Sequence, residues 1–70
     1  MNLTPRDPAA LILGLMADGR ERTANDISVR IRVPVDTIKP ILREMARLNY
    51  LTSEAIARQG TTVIYRKPQP

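Results

Sequence analysis

The chain holds no cysteine, no histidine, no tryptophan and no phenylalanine. Without cysteine there is no disulfide, no thiol nucleophile and no thiolate metal site. Without histidine the commonest general base is missing, and ordinary zinc sites are excluded. Two tyrosines are the whole aromatic complement, too little surface for a single-strand nucleic-acid platform. No apolar run approaches membrane-spanning length. The start, MNLTPRDPAA, places an acid and two prolines where a secretory signal would carry basic residues. These two absences lead to the expectation of a cytoplasmic protein. A glycine-rich phosphate loop is lacking as well: Gly14, Gly19 and Gly60 stand apart, each with a structural role open to it. The acids are scattered, and no pair is spaced for acid–base work. No enzyme activity, cofactor or metal is therefore expected.

What is present is a small basic chain. Its 70 residues are read as one domain, 1–70, with a net charge of +4. The excess is uneven. Met1 to Val35 holds five basic and four acidic residues, and Asp36 to Pro70 holds six and three. Such a bias fits an acidic partner, most often nucleic acid, and equally an ordinary solvated surface. So small a core is expected to be marginally stable alone, and dimerisation would help it.

The spacing predicts a first helix over 7–18. Asp7 suits the N-cap, Pro8 the first helical position and Gly19 the stop. Thr4-Pro5 offers an alternative start, at the cost of a hydrogen bond at Pro8. Leu11, Ile12 and Leu15 are expected in the core, with Met16 at its edge. From Pro8 to Ala17 no side chain is polar. Either alanine is serving simply as a good helix former, or Ala10, Leu13, Gly14 and Ala17 receive a second copy of the chain.

A second helix is expected over 23–32, with Thr23 as N-cap and Asp26 three residues on in a capping box. Ile27 and Ile31 face inward. A third helix is expected over 35–49. Val35, Ile38, Ile41, Leu42, Met45 and Leu48 follow its apolar period, and Asn49 suits a left-handed end. Lys39, Arg43 and Arg47 recur every four residues as a basic stripe. Pro40 interrupts this stretch. A start at Thr37 would place it harmlessly at the third position. A start at Pro34 or Val35, which the Val35–Ile38 spacing favours, removes an interior hydrogen bond and distorts the helix between Asp36 and Pro40. The remainder reads as a hairpin over 51–66 about Gln59-Gly60, followed by a frayed tail over 67–70. A two-residue turn would set Arg58 opposite Thr61, Ile56 opposite Val63 and Glu54 opposite Tyr65.

The stretch TANDISVRIRVPVDTIKPILREMARLNYLTSEAIARQGTTVIYR resembles the winged helix-turn-helix of small bacterial transcription regulators, such as the arsenical-resistance and multiple-antibiotic-resistance repressor groups. Thr23, Ile27, Ile31, Val33, Ile38, Leu42, Met45 and Leu48 stand where those proteins place cap and core residues. Two positions depart. Arg32 stands where the turn often carries glycine, and Pro34 where Ser or Thr commonly caps. The chain also lacks the metal sensors' cysteines and the long dimerising helices of the multiple-antibiotic-resistance group.

The resemblance implies an α+β fold, three helices followed by a two-stranded wing, that binds double-stranded DNA. The third helix would enter the major groove. Thr37, Lys39 and Arg43 would then reach base edges, with Arg43 suited to guanine, and Pro40 would shape that surface. Arg47, Arg66 and Lys67 would meet phosphate, as would Thr23 with the first amides of its helix. Arg58 beside Gln59 at the wing tip suits a narrow minor groove, or guards an exposed strand edge. Arg30 and Arg32 would touch backbone or simply face water. Tyr50 and Tyr65 would pack beneath the wing. The expected protein is a homodimeric transcription regulator. The alternatives are a winged-helix protein-interaction module and an architectural DNA-binding factor of plasmid or phage origin.

Overall fold

The computed structural model describes residues 7–57 and 61–68. The order is α1 (Pro8–Met16), β1 (Arg22–Thr23), α2 (Ala24–Ile31), α3 (Val35–Arg47), β2 (Thr52–Ala57) and β3 (Thr61–Arg66). The fold is α+β, but the sheet has three antiparallel strands, in the order β1-β3-β2. The expected two-stranded hairpin is thus one strand short. The extra strand lies between the first two helices, where Arg22 pairs with Tyr65 and Thr23 with Ile64. Two residues are too few to show a period in sequence. Among the described residues no helix is long and apolar enough to cross a membrane.

The hairpin register also differs from expectation. Ala57 pairs with Thr61, Ile56 with Thr62, Glu54 with Ile64 and Ser53 with Tyr65. Three residues, 58–60, therefore separate the last pair, and every cross-strand partner moves by one. A one-residue shift exchanges which side chains share a face.

Each helix is bounded by local chemistry. α1 starts at Pro8 with Asp7 at the N-cap, but Asp7 makes no side-chain capping bond. Its carbonyl accepts from the Leu11 N–H at 3.0 Å. The helix ends at Met16, two residues short of expectation, and the Gly19 N–H returns to the Met16 carbonyl at 3.1 Å with φ of 78°. α2 carries the full capping box: the Asp26 N–H donates to Thr23 Oγ1 and the Thr23 N–H to Asp26 Oδ2, both at 3.1 Å. Its end is unusual. Arg32 itself takes the left-handed conformation, φ 57°, and the Val33 N–H reaches the Ser28 carbonyl at 3.3 Å. The Ser28 hydroxyl donates to the Val33 carbonyl at 2.6 Å, closing the turn from the side-chain side.

α3 starts early, at Val35, and runs unbroken through Pro40 to Arg47. The expected distortion between Asp36 and Pro40 therefore does not break the helix. The irregularity lies in the first turn, where the Pro34 carbonyl accepts from both Thr37 N–H (3.0 Å) and Ile38 N–H (3.2 Å). The helix ends two residues sooner than expected. Asn49 is left-handed, φ 67°, with its N–H on the Ala46 carbonyl (3.1 Å) and the Tyr50 N–H on the Met45 carbonyl (2.8 Å). Those paired bonds are a Schellman end.

Among the described residues the core is Ile12, Met16, Ile27, Ile38, Leu42, Met45, Leu51 and Tyr65. Met16 is thus central rather than marginal, while Leu11 and Leu15 are half-buried. Leu48 fits the apolar period of α3 but is 43% exposed, because the helix has already ended there. Tyr65 packs beneath the sheet as expected; Tyr50, at 52% exposure, does not.

Candidate nucleic-acid interface

Lys39 and Arg43 stand one turn apart on α3, both exposed, with Arg43 Nε donating to the Lys39 carbonyl at 3.5 Å. They form one wall of a cleft of about 560 Å³. The start of α2 supplies a second wall through Thr23 and Asn25, and β3 a third through Thr62 and Tyr65. Among the described residues no acidic side chain lines it. The packing of α3 against α2, and β1 against β3, fixes these walls relative to one another. The Thr23 hydroxyl accepts from the Asp26 N–H, so its capping role and its place on the cleft coincide.

The other expected contact residues do not all gather here. Thr37 lies about 160° around the helix from Lys39, on the far edge of the exposed face. Pro40 lines a different hollow, an apolar groove shared with Ala9 and Leu13 of α1. Arg47 is held by Glu44 on its own helix, through Nε to Oε2 at 3.1 Å and a second bond from Nη2 to Oε1. Hydrogen bonding by Arg47, with its charge, lowers the Glu44 carboxyl below its ordinary range, and the same pair raises Arg47. Glu44 thus serves Arg47 on its own helix.

Arg66 is half-buried and its Nη1 lies 3.3 Å from Oε1 of Glu21. Lys67 is exposed but borders a hollow with Ala17, Asn49 and Leu51, not the Lys39–Arg43 cleft. Arg30 borders a third hollow with Arg20, Glu21 and Asp26. Arg32 is exposed at the α2 end. Arg58 and Gln59 lie outside the described residues. Asn25, Thr62 and Tyr65 were not anticipated on the cleft. Asn25 follows the helix cap by two residues, but no motif distinguishes it, and Thr62 depends on a strand register the turn residues misplace. Among the described residues, no three His, Cys, Asp or Glu side chains are grouped to hold a metal ion.

Comparison with known proteins returns no match, whether to a family model, a curated protein or a solved structure.

Proposed function

We propose that the chain is a winged-helix domain that binds double-stranded DNA and serves as a transcription regulator. The observation that carries this reading is the cleft wall formed by Lys39 and Arg43 beside the start of α2. An α-helix fits the major groove, and a bidentate guanidinium recognises guanine there. In this reading Arg43 reads a base edge, and Lys39 meets a base edge or an adjoining phosphate. Thr23 and Asn25, at the positive end of α2, flank the phosphate backbone. The β2–β3 hairpin is the wing. Arg47 and Arg66 contribute less than their charge implies, since each already has a carboxylate partner.

The test is fluorescence anisotropy with a labelled mixed-sequence duplex across a salt titration. Binding should weaken steeply with salt. Lys39→Ala and Arg43→Ala should each lower the logarithmic salt slope by about one. Arg43→Ala should in addition narrow the difference between the preferred duplex and a scrambled one. No binding at low salt, or two variants that bind as the parent does, overturns the reading.

A further inference from the structure

Tyr65 is only 7% exposed and belongs to the core, yet it lines the Lys39–Arg43 cleft. No hydrogen bond among the described residues involves its hydroxyl. Nor is any fully buried side-chain oxygen or nitrogen among them left without a partner. The hydroxyl oxygen therefore reaches the surface, and the cleft is the opening that Tyr65 lines. A tyrosine with a buried ring ordinarily finds a partner for its O–H. Among the described residues this one has none. We infer that the Tyr65 hydroxyl is a positioning donor for the ligand of the cleft, and that it donates to a non-bridging oxygen of one backbone phosphate of the bound duplex. The inference rests on the proposed DNA binding and adds to it a contact that carries no charge.

The chemistry around the cleft selects this partner. The Lys39 ammonium and the Arg43 guanidinium offer donors and no acceptor. Arg43 directs Nε to the Lys39 carbonyl, which leaves its terminal nitrogens to a ligand. Thr23 Oγ1 accepts from the Asp26 N–H and keeps its own proton to give. Asn25 adds an exposed side-chain amide from the first turn of α2. With donors on three walls and no carboxylate among the described lining residues, the cleft suits a group that is anionic and only accepts. A phosphodiester is both.

The position of the hydroxyl is fixed by pairing on both sides. Tyr65 lies opposite Arg22 of β1 and Ser53 of β2, and its ring is packed in the core. Lys39 and Arg43 are exposed and can follow a phosphate over some distance. The phenol cannot, so it specifies where on the backbone the cleft sits. Contacts of this kind fix the register of a protein on its duplex.

Tyr65→Phe tests the inference. The variant should keep the urea midpoint of the parent, because its lost hydroxyl has no partner within the fold. Its dissociation constant for the duplex should rise about tenfold, the loss of one hydrogen bond to a charged group. Its salt slope should not change, since a neutral donor releases no counterion, in contrast to Lys39→Ala. In the parent labelled with [13Cζ]tyrosine, the signal missing from Tyr65→Phe identifies Tyr65. That signal should move on adding duplex, while Tyr50, on the groove between α1 and α3, should stay in place. Inorganic phosphate at matched ionic strength should move it less. A parent that binds no duplex removes the proposed function and this inference with it. A parent that binds, with Tyr65→Phe binding equally well, overturns the inference alone. So does a lowered urea midpoint, which makes the hydroxyl structural, or an equal shift with inorganic phosphate, which assigns it to a free anion.

Discussion

Arg22 reaches back over the α1–β1 turn to grip Asp18 with both prongs, Nη1 to Oδ1 and Nη2 to Oδ2 at 2.9 Å each. The same Nη1 donates to the Leu15 carbonyl at 3.3 Å, at the end of α1. The Arg20 N–H adds a further bond to Asp18 Oδ1 at 2.9 Å. Arg22 also starts β1, opposite Tyr65. One side chain therefore ties the end of α1 to the strand that delivers Thr23 and the start of α2.

This pair sets an acid limit on stability. Hydrogen bonding from Arg22, then from the Arg20 backbone, holds the Asp18 carboxyl well below its ordinary value of 3.8. A carboxyl whose folded value is depressed binds protons more readily in the unfolded chain. Its contribution is complete above pH 3.8 and is lost as pH falls from there toward the folded value. Asp18→Asn should unfold at lower urea near neutral pH. The difference from the parent should shrink as the solution is acidified below that ordinary value. Urea midpoints measured across an acid series check this; a gap that stays constant with pH removes the ionic contribution.

Glu44 restrains the basic face. It occupies Arg47 and is itself held ionised by it. Glu44→Gln removes the negative charge and releases the guanidinium. Under the proposed function, duplex affinity at low salt should rise by about twofold to tenfold and the salt slope should steepen. Anisotropy titrations of the variant against the parent decide it. Unchanged affinity would place Arg47 away from the bound DNA.

The parts legible in sequence were those governed by near neighbours. The capping box of Thr23 and Asp26, the apolar period of α3 and the Lys39–Arg43 adjacency all follow from spacings of three and four residues. What depended on distant partners was not legible. Arg66 reads as a free cation, yet it meets Glu21 from 45 positions away. Tyr65 reads as one of two equivalent tyrosines, yet only its pairing with β1 and β2 puts it inside. Turn chemistry explains the remaining misses. Gln59-Gly60 invites a two-residue turn, but the pairing leaves three residues between strands. Leu48 keeps the helical period after the helix has stopped.

Arg32 offers a direct measurement of backbone strain. A non-glycine residue in the left-handed region is disfavoured, and Arg32 sits there with φ of 57°. Arg32→Gly should raise stability by about 0.5–1 kcal/mol, the relief of strain less the extra freedom of the unfolded glycine chain. Equilibrium urea unfolding reads the change. A destabilised variant would mean that the arginine side chain contributes more at the turn than its backbone costs.

Pro40 costs its own helix a hydrogen bond. It is the sixth residue of α3, beyond the positions whose N–H groups are unsatisfied in any helix. The Asp36 carbonyl consequently receives no N–H from it, although the helix continues. Pro40→Ala restores that bond and should stabilise the monomer by about 1–2 kcal/mol, the interior-proline cost reduced by the greater freedom of the unfolded variant. The same change removes ring atoms from the groove shared with Ala9 and Leu13. Urea unfolding of the variant against the parent reads the balance of the two. An unchanged or lowered stability would mean that the packing of the ring in that groove outweighs the missing bond.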